Sequence, residues 1–396
     1  MSKTVYRKDR AGKKRVECPS LLLFFIFLFG FALLNLLWPM REQSELENRK
    51  LAKPPAFSVK ALLSGQWATG FASYMQDQVA GRDGWINAEC AVNAMLFQKV
   101  EESDILLGAD HWLFTKFFTV NDATAAQLEK NLTAVTDFAA RYPGRVTFLL
   151  APSASVIYPE ELPAYAPMAD ENALLDAIFA RVATVADVID LRPDFTAAKE
   201  QYLYFKTDHH WTPEGAYLGY SRFCSLKGLT PFDRAAHEAV TIPDFYGTHA
   251  SAARPWNGQS DRITYYPLDN PLTVYQITGE AQYTATKTEN LINTDKFATR
   301  DKYAAFLDGN NGYSTIEGNG TGSILVVKDS YANSLIPYLT ANYAKIGVVD
   351  FRGFGYGLDS TIEKEQYDEI LVLYNFQTFI SDTKVVYINR PTTITN

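Results

Sequence analysis

The stretch Tyr204-Phe-Lys-Thr-Asp-His-His-Trp-Thr-Pro-Glu-Gly-Ala-Tyr217 sets the reading of the whole chain. The protein has five histidines, and two of them, His209 and His210, stand side by side here between Asp208 and Trp211. Thr212 and Pro213 then mark a helix start. A threonine hydroxyl caps the free N–H groups of a first turn, and proline suits the first helical position. Tyr217, Leu218 and Phe223 follow as one helical face. Residues 208–211 therefore form a short extended turn that opens a helix. In extended backbone, positions i and i+2 point the same way. Asp208 and His210 can address one site together while His209 points elsewhere. An acid beside a histidine orients the imidazole and readies it as a general base.

Outward from this turn, short apolar runs alternate with helical patterns. Residues 105–114 read as strand, turn and strand. Strands are expected at 146–150, 188–191, 323–327, 346–351 and 369–374, and helices at 125–142, 172–186 and 330–338. Buried apolar runs separated by helices predict an α/β fold with a mostly parallel sheet. Sites in such sheets lie beyond the carboxyl ends of the strands. Ser330, Arg352 and the residues after Leu150 all fall at such ends. Residues 231–319, rich in Thr, Asn, Tyr and Gly, read as an insertion carrying a few antiparallel strands.

The N-terminal part has a different chemistry. Residues 21–38 are apolar apart from Gly30 and Asn35. Eighteen residues at about 1.5 Å each span roughly 27 Å, close to the apolar thickness of a bilayer. The first 19 residues carry seven Lys/Arg against two acids. That flank predicts a cytoplasmic N-terminus and an extracytoplasmic body. A cleaved signal peptide is the rival, but Trp38-Pro-Met-Arg-Glu offers no small-x-small site. The expected organisation is a basic tail (1–19), a transmembrane anchor (20–40), a charged juxtamembrane stalk (41–57) and an extracytoplasmic body (58–396). The helical pattern of residues 58–97 is broken at 77–85, which hold two glycines.

The chain as a whole carries a net charge of −8 despite its basic start, which argues against nucleic acid as the main partner. Three cysteines, Cys18, Cys90 and Cys224, allow at most one disulfide in the body. They provide no zinc spacing, and no metal or cofactor is expected.

Ser330 follows a strand and precedes a helix, which places its hydroxyl at the sheet edge near backbone N–H groups able to serve an oxyanion. A plain N-cap serine is the alternative. The combination of Thr-Asp-His-His-Trp with a later strand-Lys-Asp-Ser-Tyr turn resembles the DHHW family, membrane-anchored relatives of the SGNH-like alginate O-acetyltransferases. The stalk run Ser44-Glu-Leu-Glu-Asn-Arg49 and residues 108–114 share the resemblance. It differs at the nucleophile, where the acetyltransferases carry a Thr-Ser-Tyr type of turn.

The resemblance implies an SGNH-hydrolase-like three-layer fold and a Ser330–His210–Asp208 triad, with Asp329 a rival orienter of the imidazole. It also implies an O-acyltransferase acting on an exopolysaccharide or envelope glycan, supplied by a multi-pass membrane O-acyltransferase partner. A carbohydrate esterase with the same triad and a non-catalytic glycan-binding scaffold remain alternatives. A metal held by Asp208, His209 and His210 is the other chemistry of this turn. Three consecutive ligands rarely wrap one ion, so His209 reads as a structural or pocket-wall group. Three residues are candidates for substrate binding: Trp211 (sugar platform or packing anchor), Arg352 (oxyanion, anionic sugar or a surface ion pair) and Tyr158 (cleft wall or core). His111, His237 and His249 read as structural.

Overall fold

The computed structural model describes residues 5–8, 14–17, 19–255 and 257–391, so most of the basic tail and Cys18 fall outside the described residues. The chain divides into two units, Met1–Val92 and Asn93–Asn396.

Eight strands form the main sheet of the second unit. In chain order they are β1 (Val146–Ala151), β2 (Asp187–Ile189), β3 (Pro271–Gly279), β4 (Gln282–Asn290), β5 (Tyr313–Glu317), β6 (Ser323–Lys328), β7 (Lys345–Val349) and β8 (Glu369–Asn375). Their spatial order is β4-β3-β5-β7-β6-β8-β1-β2. The run β7-β6-β8-β1-β2 is parallel throughout. The edge β4-β3-β5 is antiparallel and joins β7 through β5. Residues 231–319 thus lend three strands to the main sheet itself.

The parallel strands read as unbroken apolar runs because both faces are covered. Alternate side chains feed two cores. Leu149, Ile324, Val326, Leu371 and Leu373 face one side with Tyr220 and Phe223 of helix Pro213–Lys227. Phe148, Leu150, Leu325, Val327 and Val372 face the other with Val135 and Phe138 of helix Asp122–Arg141 and Ile178 of helix Glu171–Val182. The result is the expected three-layer arrangement. Burying one such side chain contributes roughly 1.5–3 kcal/mol, so a charge placed at the central Val326 would disrupt the core on its face of the sheet.

Helix starts follow their caps. The Thr212 hydroxyl accepts from Gly215 N–H at 3.3 Å, with Pro213 at the first helical position. Helix Asp122–Arg141 begins three residues before its apolar periodicity, because the Asn121 side chain accepts from Thr124 N–H at 2.9 Å. Asn121 is the cap.

In the first unit, helix α1 (Pro19–Leu37) has no buried residue and a mean hydropathy of 2.6 over its apolar window. Helices Val59–Leu63, Gln66–Asp77 and Arg82–Met95 follow. The break between the last two is shorter than the glycines suggest, since Gly84 sits inside a helix. Residues 41–57 are tied down by ion pairs from Arg41 to Asp83 at 2.6 Å and from Arg49 to Asp77 at 2.6 Å.

Candidate active site

Ser330 opens a 3-10 turn, Ser330–Ser334, directly after β6. Asp329 fixes that turn. Its carboxylate accepts from the N–H of Tyr331 at 2.9 Å and from the N–H of Asn375, at the end of β8, at 2.9 Å. Burial raises the Asp329 pKa while those two N–H groups oppose the rise. Asp329 therefore clamps β6 to β8, and its contacts do not include the His210 ring, so it is not the orienter.

Across from the turn, His210 Nε2 lies 2.8 Å from Ser330 Oγ. Its Nδ1 lies 2.5 Å from Asp208 Oδ1, which also accepts the His210 backbone N–H at 2.9 Å. The proton on Nδ1 faces a carboxylate, so Nε2 is left as acceptor and the serine hydroxyl donates to it. Tyr303 stacks on the other side of the imidazole, with ring centroids 4.1 Å apart and planes 18° from parallel. The structure brings Asp208, His210 and Ser330 together in the order that relays a proton away from a serine.

The second oxygen of Asp208 is held by residues that sequence reasoning passed over. Thr248 donates to Oδ2 from its N–H at 2.7 Å and from its hydroxyl at 3.0 Å. Gly247 makes this approach possible, because a Cβ there would lie 2.2 Å from the Asp208 Cβ and 2.4 Å from Oδ2. Asp261 holds the turn one residue earlier, accepting from Thr207 N–H at 2.7 Å and from the Thr207 hydroxyl at 2.6 Å. Burial alone would raise the Asp208 pKa. The positive ends of His209 and His210 and the donated hydrogen bonds instead hold it well below the usual carboxylate range.

His209 turns away from Ser330, and its Nδ1 meets the Thr248 hydroxyl at 2.7 Å. Burial and the neighbouring His210 lower its pKa to about 4. One ligand atom each from Asp208, His209 and His210 lies within 4.8 Å of the others. Their polar atoms are nonetheless committed to one another, to Thr248 and to Ser330.

A cleft runs beside these residues. Asp208, His209, His249, Tyr331, Ser153 and Asn375 contribute to its wall. Ser153, Tyr331 and Asn375 follow or end β1, β6 and β8, so the cleft lies beyond the carboxyl ends of parallel strands, where such folds place ligands. Asn375 was legible by that rule, whereas Thr248 and Tyr303 lie in the segment read as an insertion.

The three substrate-binding candidates fare differently. Trp211 has no exposed surface. Its indole N–H donates to the Tyr331 carbonyl at 2.8 Å and its ring packs on Phe195 and Tyr331. It is a packing anchor and offers no face to a sugar. Tyr158 is a buried core residue that donates to the Lys199 carbonyl at 3.0 Å and borders a separate surface hollow with Asp110, Glu160 and Lys206, so it is not a wall of the cleft beside Asp208 and His209. Arg352 is about half-exposed and forks onto Asp350, Nε to Oδ1 at 2.9 Å, which is the ion-pair alternative. Asp350 in turn receives the buried Lys328 ammonium at 3.2 Å, whose pKa burial lowers to about 8. His111 and His237 lie away from the cleft, while His249 lines it and is pinned by Leu113 and Thr115.

Comparison with known proteins accords with this arrangement. Residues 183–349 match the family described as DHHW protein, and residues 105–242 match the SGNH hydrolase-like domain of acetyltransferase AlgX. The probable alginate O-acetylase AlgJ of Pseudomonas syringae pv. tomato is 26% identical over 260 residues, which is 63% of this chain and 61% of that protein. The chain thus matches less than two thirds of that relative's length. Among solved structures, a DHHW family protein from Eubacterium siraeum superposes with a TM-score of 0.62 at 20% identity, covering 74% of this chain and 97% of that one. Bacillus cereus PatB1, solved with a sulfonyl adduct, superposes with a TM-score of 0.57 at 20% identity, covering 72% and 97%. Residues 183–349 are thus similar to the DHHW family and residues 105–242 to the SGNH hydrolase-like domain of AlgX, and the chain shares its fold with the DHHW protein of Eubacterium siraeum and with PatB1.

Proposed function

We propose that this protein is a membrane-anchored, extracytoplasmic O-acyltransferase, with acetyl as the acyl group, that modifies an exopolysaccharide or cell-envelope glycan. The observation that carries the reading is the hydrogen-bonded series Asp208–His210–Ser330 beside a cleft at the carboxyl edge of the sheet. The name of the AlgJ relative supports an acetyl group and a polysaccharide acceptor.

In the proposed reaction His210 Nε2 removes the proton from Ser330 Oγ as the oxygen attacks the carbonyl carbon of the acyl donor. The donor's leaving group departs with that proton, leaving an ester on Ser330. A glycan hydroxyl then attacks the ester carbonyl and gives its proton to Nε2. The acyl–glycan bond forms, the Ser330 bond breaks, and the proton returns to Oγ. Asp208 keeps the imidazole in the required tautomer through both halves. The Ser330 N–H heads its turn, where no intrahelical acceptor exists, and is offered to the oxyanion. The acyl donor is delivered across the membrane by a multi-pass O-acyltransferase partner, beside which α1 tethers the chain. No cofactor enters this chemistry.

The purified full chain given an activated acetyl ester, with and without a glycan acceptor, tests the reading. Acetylated glycan is expected, and Ser330→Ala and His210→Gln should each lower transfer by about 10³-fold or more, while His209→Gln costs far less. A sulfonyl fluoride should label Ser330 and no other serine. Hydrolysis unaffected by glycan would make the protein an esterase with the same triad. An active Ser330→Ala variant would leave the scaffold reading.

A further inference from the structure

The N-terminal unit exposes large apolar side chains that the acyl-transfer site does not use. Phe57 is 66% exposed, Val59 66%, Leu63 83% and Trp85 58%, with Phe71 and Met75 also open. A contiguous apolar surface of this kind marks an interaction site. Its height relative to α1 is fixed by three contacts. The Tyr74 hydroxyl meets Met40 Sδ at 3.1 Å, just past the end of the apolar run at Trp38. The Ala80 N–H donates to Asn35 Oδ1 at 2.8 Å. The Trp85 ring packs edge-on against Phe31 with centroids 6.4 Å apart.

At about 1.5 Å per residue, Asn35 lies roughly 4–5 Å and Phe31 roughly 10 Å inside the end of the apolar run. The turn around Ala80 and the Trp85 ring therefore sit below the level at which α1 leaves the apolar layer.

Several polar groups in this region are satisfied within the unit, as such a depth favours. The Asn35 amide donates to the Phe31 carbonyl at 2.8 Å while its oxygen takes the Ala80 N–H. The Trp85 indole N–H is spent on the Ala80 carbonyl at 3.0 Å. Three arginines pair internally: Arg41 with Asp83 at 2.6 Å, Arg49 with Asp77 at 2.6 Å, and Arg82 with Glu47 at 3.0 Å. Helix Gln66–Asp77 carries no charge but its last residue. Tryptophan, aromatic and aliphatic side chains at the edge of a bilayer are the composition of an interfacial helix.

We propose that residues 57–92 dock into the interfacial layer of the lipid bilayer beside the C-terminal end of α1, so that the protein holds the membrane by an anchor and a seated collar. The occupant of the apolar surface is phospholipid. This rests on reading α1 as a membrane anchor.

The test uses the full chain in phospholipid nanodiscs without other protein. Single cysteines, in a background lacking Cys18, Cys90 and Cys224, carry an environment-sensitive fluorophore at Leu33 in α1, at Val59 and Leu63 on the collar, or at Tyr165, a fully exposed position of the second unit. Depth is read with lipids bearing shallow or deep nitroxides. Leu33→Cys should be quenched by the deep probe. Leu63→Cys and Val59→Cys should lose about half their emission to the shallow probe, and Tyr165→Cys should respond only to an aqueous quencher.

Quenching at Leu33 with Val59 and Leu63 as water-accessible as Tyr165 overturns the collar and leaves the anchor standing. No quenching at Leu33 overturns the anchor reading and the collar with it. Collar labels that are wet in nanodiscs and shielded only in native membranes overturn lipid as occupant in favour of a protein.

Discussion

Asp208 is the most heavily bonded side chain of the site, and the arrangement decides what each neighbour does. Oδ1 serves His210 alone, through ring and backbone, while Oδ2 is satisfied by Thr248 through N–H and hydroxyl. Thr248 touches no reacting atom, so it is a positioning residue. Thr248→Ala keeps the backbone donor and removes the hydroxyl. A hydrogen bond of this kind is worth about 1 kcal/mol or somewhat more to a charged acceptor. The expected outcome is a roughly three- to tenfold fall in kcat with KM little changed, restored by Thr248→Ser; an unchanged kcat for Thr248→Ala would show that the N–H alone holds Asp208. The pair Asp208 and His210 was legible because an i, i+2 relation in an extended turn is a local fact. Thr248 was not, because nothing within residues 246–249 points to a turn 40 positions earlier. Only Gly247, which tolerates the 2.2 Å approach, carries a trace of it. Trp211 shows the converse: the sequence offered a sugar platform or a packing anchor, and full burial makes it the packing anchor.

At the scale of elements, the parallel strands were readable from composition, since a strand covered on both faces has no polar residues to obscure it. Antiparallel strands were expected within 231–319, but their joining of the main sheet was not, because that junction is made by β5 pairing with both β3 and β7, outside any local window. The short helix Thr248–Ala253 illustrates how such long-range choices are secured. His249 pins it to the strand Leu113–Thr115, Nδ1 to the Leu113 carbonyl at 3.0 Å and Nε2 to the Thr115 hydroxyl at 2.9 Å. Burial, and then the charge of His209, lowers the His249 pKa from 6.5 to about 4. Between those values the unfolded chain binds a proton that the native chain does not. Stability from this group is therefore complete above about pH 6.5 and is lost as pH falls toward 4, by at most about 1.4 kcal/mol per pH unit. His209 acts in the same direction, and the buried His249 carries more of the effect. Denaturant unfolding of the full chain in detergent at pH 7 and pH 4.5 should show a larger drop for the native protein than for His249→Gln. Equal drops would mean that His249 is already protonated in the folded state or does not titrate in this range.

At the scale of the whole molecule, with α1 read as a membrane anchor, the orientation is expected to follow from charge and not from the fold. Seven Lys/Arg precede the apolar run, whereas the residues after it, 41–57, hold four basic and three acidic side chains. Positive residues within about 15–20 positions of a span are retained in the cytoplasm, and acids count little in this balance. The two flanks therefore compete, seven against four, and the N-terminal one is expected to win by a narrower margin than the net charge suggests. Three of the four, Arg41, Arg49 and Lys53, are paired with acids in the folded unit. An enzyme reporter that works only outside the cytoplasm, fused after residue 60, should be active. Changing Lys8, Arg10, Lys13, Lys14 and Arg15 to Gln leaves two basic residues before the run against four after it, and should move a large share of the reporter to the cytoplasm. An inactive reporter in the native sequence would put Asp208, His210 and Ser330 on the cytoplasmic side, where an envelope glycan is out of reach. Retained activity in the five-fold variant would mean that the ordered collar of residues 57–92, more than the basic tail, sets which side the body occupies.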